Sequence, residues 1–169
     1  NQYKFALECF EDCIKKDPNY TASIVNLANL KVILNDYEKA IILYNKVLED
    51  KENIESVYIN LAQAYQSTKQ FEKALQIINR GLKKFPKQTK IDKLLSIQTN
   101  YLTKENHLVT MINKLKNNNL NDDQKINIYF AIGKAYEDKK NFKVAFEYYS
   151  KGNELKRTKL KFDINDKKK

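Results

Sequence analysis

The sequence predicts an all-α fold, a solenoid of helix-turn-helix hairpins, and three observations carry that prediction. A small-and-aromatic pattern recurs every 34 residues: Ala28, Tyr37, Ala40, Tyr44 and Val47 are followed by Ala62, Phe71, Ala74, Ile78 and Gly81. Tyr3, Ala6, Phe10 and Cys13 precede them at the same offset. Within each half-period apolar residues fall at helical spacing. Finally, 3 Gly and 2 Pro leave few strand-turn or linker signals, while 42% hydrophobic residues suffice for a continuous core.

Residues 1–20 read as the second helix of a repeat whose first helix is expected upstream of Asn1. Asp17-Pro18-Asn19 ends it, because proline cannot continue a helix. A full repeat follows at 21–54, with Ile24, Leu27, Ala28 and Lys31 on its first helix, a turn at Asn35-Asp36, and Ala40, Ile41, Tyr44, Val47 and Leu48 on its second. Residues 55–88 repeat this with Tyr58, Leu61, Ala62, Tyr65, Phe71, Ala74 and Leu75, and close on Phe85-Pro86. Ala28, Ala40, Ala62 and Ala74 let paired helices approach closely, while Tyr37 and Tyr44 fill the space beside them.

The next hairpin, 89–121, is degenerate. Ser96 takes the small slot, Glu105 stands where an aromatic belongs, and Leu108 replaces alanine, so two helices near 89–102 and 105–116 are expected to pack loosely. His107 reads as an exposed or capping side chain. The run Asn117 to Asp123 is a loop ending in an N-cap at about Asp122, and it lengthens the period by three. The pattern then returns at 122–157 with Gly133, Tyr136, Phe142, Ala145, Tyr149 and Gly152. Residues 158–169 form a basic terminal helix or linker.

A period of 34 with this pattern resembles the tetratricopeptide repeat, in which stacked hairpins make a right-handed superhelix with a concave wall built from first helices. The last repeat, FAIGKAYEDKKNFKVAFEYYSKGNELKR, is also similar to the final repeat of bacterial proteins whose tetratricopeptide repeats precede a sulfotransferase domain. That resemblance rests on Gly133-Lys134-Ala135 and on Gly152-Asn153-Glu154-Leu155-Lys156-Arg157. It implies that the basic tail begins a connector and that a catalytic part lies beyond Lys169, making this segment a substrate-presenting arm. The segment has no Gly-rich phosphate loop, since Gly81, Gly133 and Gly152 all occupy helix-packing slots.

The formal charge of +10 raises a third reading, a basic RNA-associated scaffold. Against it, only Arg80 and Arg157 are arginines, so bidentate readers of phosphate and base edges are scarce. Lys, Asn and Ile are abundant together, as an AT-rich genome would produce. Half of the excess lies at 151–169, where eight basic residues face three acidic ones.

Cys9 and Cys13 share one helix face and read as reduced, half-buried thiols, because the lone His107 is too remote in sequence to complete a metal site. No run of 18 apolar residues and no secretory start are present, and a cytoplasmic location is expected. Glu137 and Asp138 are adjacent and diverge on a helix, so they make no working carboxylate pair. Catalysis, metal and cofactor are not expected.

Binding is the expected function, with an extended peptide or protein held on the concave face by Asn26, Asn29, Asn60, Gln63, Lys90 and Lys93. Ile97, Tyr101, Phe130, Lys134, Glu137 and Asp138 would line the same wall further along. Asn26 and Asn60 are equivalent positions, and a carboxamide both donates and accepts, so a ladder of them pairs with peptide backbone of any sequence. A similar ladder occurs in the repeats of the O-linked N-acetylglucosamine transferase. Asn29, Asn60 and Lys90 also resemble part of the carboxylate clamp of chaperone-binding repeat proteins, but Val25 and Leu94 stand where that clamp needs basic residues. The alternative is that Asn26 and Asn60 only solvate a helix face. End-to-end self-association through the open terminal helices is a further expectation.

Overall fold

The computed structural model describes residues 2–51, 53–117 and 119–166, with side chains through 160. All regular structure among them is α-helical, and the chain divides into two compact units, residues 1–85 and 86–169. The hairpins stack within each unit as expected for an all-α repeat solenoid.

The first unit holds α1 (Gln2–Lys16), α2 (Thr21–Ile33), α3 (Tyr37–Asp50), α4 (Glu55–Ser67) and α5 (Phe71–Lys84). Helices α2 and α3 form one hairpin, α4 and α5 the next, and α4 also lies on α3. The four repeat alanines 28, 40, 62 and 74 are fully buried, as is Tyr44, while Val57, Tyr58, Leu61 and Ile78 close the core. Burying apolar surface of this kind is the main stabilising term for such a stack. The aromatic slot at the start of the second helix is exposed at Phe71 and half-buried at Tyr37. Helix α1 packs on α2 and buries none of its residues, so Cys9 and Cys13 are exposed free thiols rather than half-buried ones.

Each regular hairpin turns on the same device. Asn35, Lys69 and Lys140 adopt φ of 60°, 59° and 58°, the left-handed conformation. The amide of the following residue reaches back to the carbonyl five earlier: Asp36 to Lys31, Gln70 to Tyr65 and Asn141 to Tyr136, at 2.8–2.9 Å. This Schellman closure satisfies carbonyls that a helix end would otherwise leave unpaired. Asp36 then caps α3 by accepting from the Lys39 amide.

The second unit holds α6 (Thr89–Gln98), α7 (Asn106–Lys116), α8 (Asp122–Asp138) and α9 (Phe142–Asp166). The degenerate repeat differs from its expected helices. Helix α6 stops at Gln98 instead of running to 102, Tyr101 drops into the core beside Leu108, Met111, Ile128 and Ile132, and α6 packs chiefly on α8. Helix α8 starts from a capping box in which Asn121 and Gln124 exchange side-chain and backbone hydrogen bonds, placing the N-cap one residue before Asp122.

Helices α8 and α9 form the tightest pair of this unit. Ala145 and Gly152 are buried there and Tyr149 is half-buried; a Cβ at Gly133 would lie 2.5 Å from the Tyr149 ring. The basic stretch beginning at 158 continues α9 without a break through Asp166; residues 167–169 lie outside the described ones.

Candidate functional site

In the first unit, four of the proposed site residues lie on α2 and α4. Asn29 and Asn60 meet, with the Asn60 Nδ2 donating to Asn29 Oδ1 at 2.9 Å. The same Asn29 oxygen accepts from the Tyr44 hydroxyl at 2.6 Å. Tyr44 is fully buried, and burial pushes its phenol up to about 12 against a smaller lowering by Asn60, so it is a neutral donor at physiological pH. Asn26 and Gln63 stand one turn from Asn29 and Asn60 on the same helices and are exposed.

The two contacts fix the polarity of the pair. Both donors converge on Asn29 Oδ1, which leaves the Asn29 amide hydrogens to point elsewhere, and Asn60 spends an N–H while keeping its Oδ1 as an acceptor. One carboxamide is thereby set to donate and its neighbour to accept. A comparable bond inside the stack joins Asn45 Nδ2 to the Tyr65 hydroxyl at 3.0 Å. The partner of Asn60 in the structure is Asn29, not its repeat equivalent Asn26. Sequence period identifies equivalent positions; the offset between adjacent helices decides which ones touch.

In the second unit, Lys90 is exposed in the first turn of α6, and its amide is capped by Gln88 Oε1 at 3.1 Å. Lys93 holds its ammonium 5.4 Å from the centre of the Phe130 ring. Lys134 is engaged within the unit, donating to Asp138 Oδ2 and to the Thr99 carbonyl at 2.6 Å each, and Asp138 Oδ2 also accepts from the Tyr101 amide at 3.2 Å. Tyr101 itself, expected on the wall, is fully buried because the chain leaves α6 at Gln98, before reaching it. Beside these residues the early end of α6 opens a cleft of about 390 Å³ walled by Ile97, Gln98, Thr99, Leu102, Lys134 and Asp138.

His107 also differs from expectation. It is largely buried, with Nδ1 at 2.6 Å from the Tyr101 hydroxyl and Nε2 at 3.3 Å from Asp92 Oδ1. Lys114 completes this network at 2.6 Å from Asp92 Oδ2. Asp92 is 1% exposed, and these partners take the place of the water its carboxylate oxygens have lost. The signal in the sequence was an aspartate set between Ile91 and Leu94 in the first turns of an apolar helix. Among the described residues no group of three or more His, Cys, Asp or Glu is placed to hold a metal ion, and no helix is long and apolar enough to cross a membrane.

Solved structures share the fold. A crystal structure of MamA is 18% identical with a TM-score of 0.71, covering 94% of this chain and 91% of that one. MamA 41-end from Desulfovibrio magneticus RS-1 is 18% identical with a TM-score of 0.70, over 94% and 88%. YrrB, described as a TPR protein with an unusual peptide-binding site, is 16% identical with a TM-score of 0.65, over 100% and 85%. No curated protein matches the chain in sequence. Models of the tetratricopeptide repeat match at residues 35–96 and 126–159, together more than half of the chain, and the chain belongs to that family.

Proposed function

We propose that the chain is an interaction module that takes an extended peptide or protein segment on the first-helix surfaces of its hairpins. In the first unit Asn26, Asn29, Asn60 and Gln63 make the backbone contacts; the second unit, taken by itself, offers Lys90 and Lys93 as donors for carbonyls or acidic side chains. The observation that carries this reading is the Asn29–Asn60 pair held by Tyr44. A donor and an acceptor fixed side by side match the C=O and N–H that one residue of an extended strand offers on the same side. The description of YrrB as peptide-binding lends support from a repeat protein of the same fold.

Peptides selected from a random phage-displayed library on the wild-type chain supply the probe. Asn60→Ala is expected to weaken their binding by roughly 1–3 kcal/mol, the cost of leaving a paired backbone group unsatisfied. Gln63→Ala, on an exposed side chain, should weaken binding while leaving stability within about 0.5 kcal/mol. Equal affinity of wild type and both variants by fluorescence anisotropy contradicts the reading.

A further inference from the structure

We propose that the cleft at the early end of α6 is a side-chain pocket for one uncharged aliphatic residue of a bound peptide. This rests on the peptide-binding reading and adds a specificity to it. Three observations converge there. Ile97 and Leu102 flank the cleft at 59% and 61% exposure, apolar surface that folding alone leaves in water. The Gln98 side chain lines the same cleft, and its Nε2 is buried without a hydrogen-bond partner.

The floor is electrically closed. Lys134 is paired with Asp138 at 2.6 Å and spends a second N–H on the Thr99 carbonyl, so a charged occupant would lose its hydration and find both countercharges already engaged. A neutral occupant suits this arrangement: an aliphatic side chain between Ile97 and Leu102, and a backbone carbonyl toward which the buried, unpartnered Gln98 carboxamide turns to donate. Asp138 Oδ1, which takes no part in the Lys134 and Tyr101 bonds, offers an acceptor for the same residue's N–H.

The cleft exists because the degenerate repeat ends its first helix at Gln98. The regular hairpin α4–α5 continues three residues further at the corresponding point, to Ser67 before its Schellman turn. The departure from the repeat pattern is therefore what makes this subsite.

The probe is N-acetyl-leucine N-methylamide, with its glycine analogue and the N-acetyl-lysine N-methylamide as controls, titrated into ¹⁵N-labelled chain. A ligand of this size binds in the millimolar range. The leucine probe should shift the Gln98 side-chain NH₂ resonance and the Ile97 and Leu102 amides saturably, the glycine and lysine probes at least fivefold more weakly. Leu102→Ser, at an exposed site that leaves the fold unchanged, should weaken the leucine probe several-fold.

Equal response to all three probes, or no saturable shift at these residues, overturns the pocket. The carboxamide resonances of Asn29 and Asn60, observed with library-selected peptides, report separately on the proposed groove. Shifts there with none at Gln98 leave the groove standing and remove the pocket; the reverse pattern removes the groove and keeps a side-chain site.

Discussion

Tyr44 does two things at once. Its ring is fully buried in the core of the first unit, and its hydroxyl holds Asn29 Oδ1 at 2.6 Å. Tyr44→Phe keeps the ring and removes the bond, and it is expected to cost about 0.5–1.5 kcal/mol in urea unfolding while freeing Asn29 to turn. The pH dependence has a definite sign. A phenol raised to about 12 in the folded chain and near 10 when unfolded contributes stability that is complete below pH 10 and is lost as pH rises toward about 12. Phenolate absorbance should therefore show a late-titrating group that Tyr44→Phe deletes. The ring was legible from its repeat slot. The hydroxyl's partner was not, since period and polarity do not say which way an Oη points.

Turns and helix ends carry the next level. The Schellman turns place lysine at 69 and 140 in the left-handed region, where a Cβ is strained. Lys69→Gly should raise stability by about 1 kcal/mol, read from the urea midpoint. The hairpins closed by these turns were visible in the sequence because alanine, aromatic and turn residues recur in step. Helix α6 was less legible. Its predicted continuation to 102 followed helical spacing, but Tyr101 gains more by burial in the core of the second unit, and the chain breaks helix to place it there.

Between α6 and α7, Asp92 holds Lys114 and His107. Asp92→Asn removes the charge that both partners face and should cost about 3 kcal/mol. Amide exchange in α7 should then rise ahead of global unfolding. A neutral result would mean that apolar packing of Leu108 and Met111 alone seats α7.

For the whole molecule, the charge of +10 and the peptide reading make different demands on salt. A carboxamide groove binds a neutral peptide with little dependence on ionic strength, whereas phosphate contacts would cost affinity steeply between about 50 and 200 mM salt. The repeat class was readable over most of the chain because the same packing problem is solved every 34 residues. The site was readable only in part: Asn26, Asn29, Asn60 and Gln63 stand out as polar residues on first helices, but the polarity of the Asn29–Asn60 pair comes from a bond between adjacent repeats that no single repeat contains.

The most direct measurement follows the side-chain NH₂ resonances of those four residues while a library-selected peptide is titrated into labelled chain. The account predicts saturable shifts at Asn26, Asn29, Asn60 and Gln63, with Asn113 and Asn153 unmoved. Binding that shifts other surfaces and leaves these four in place would contradict it.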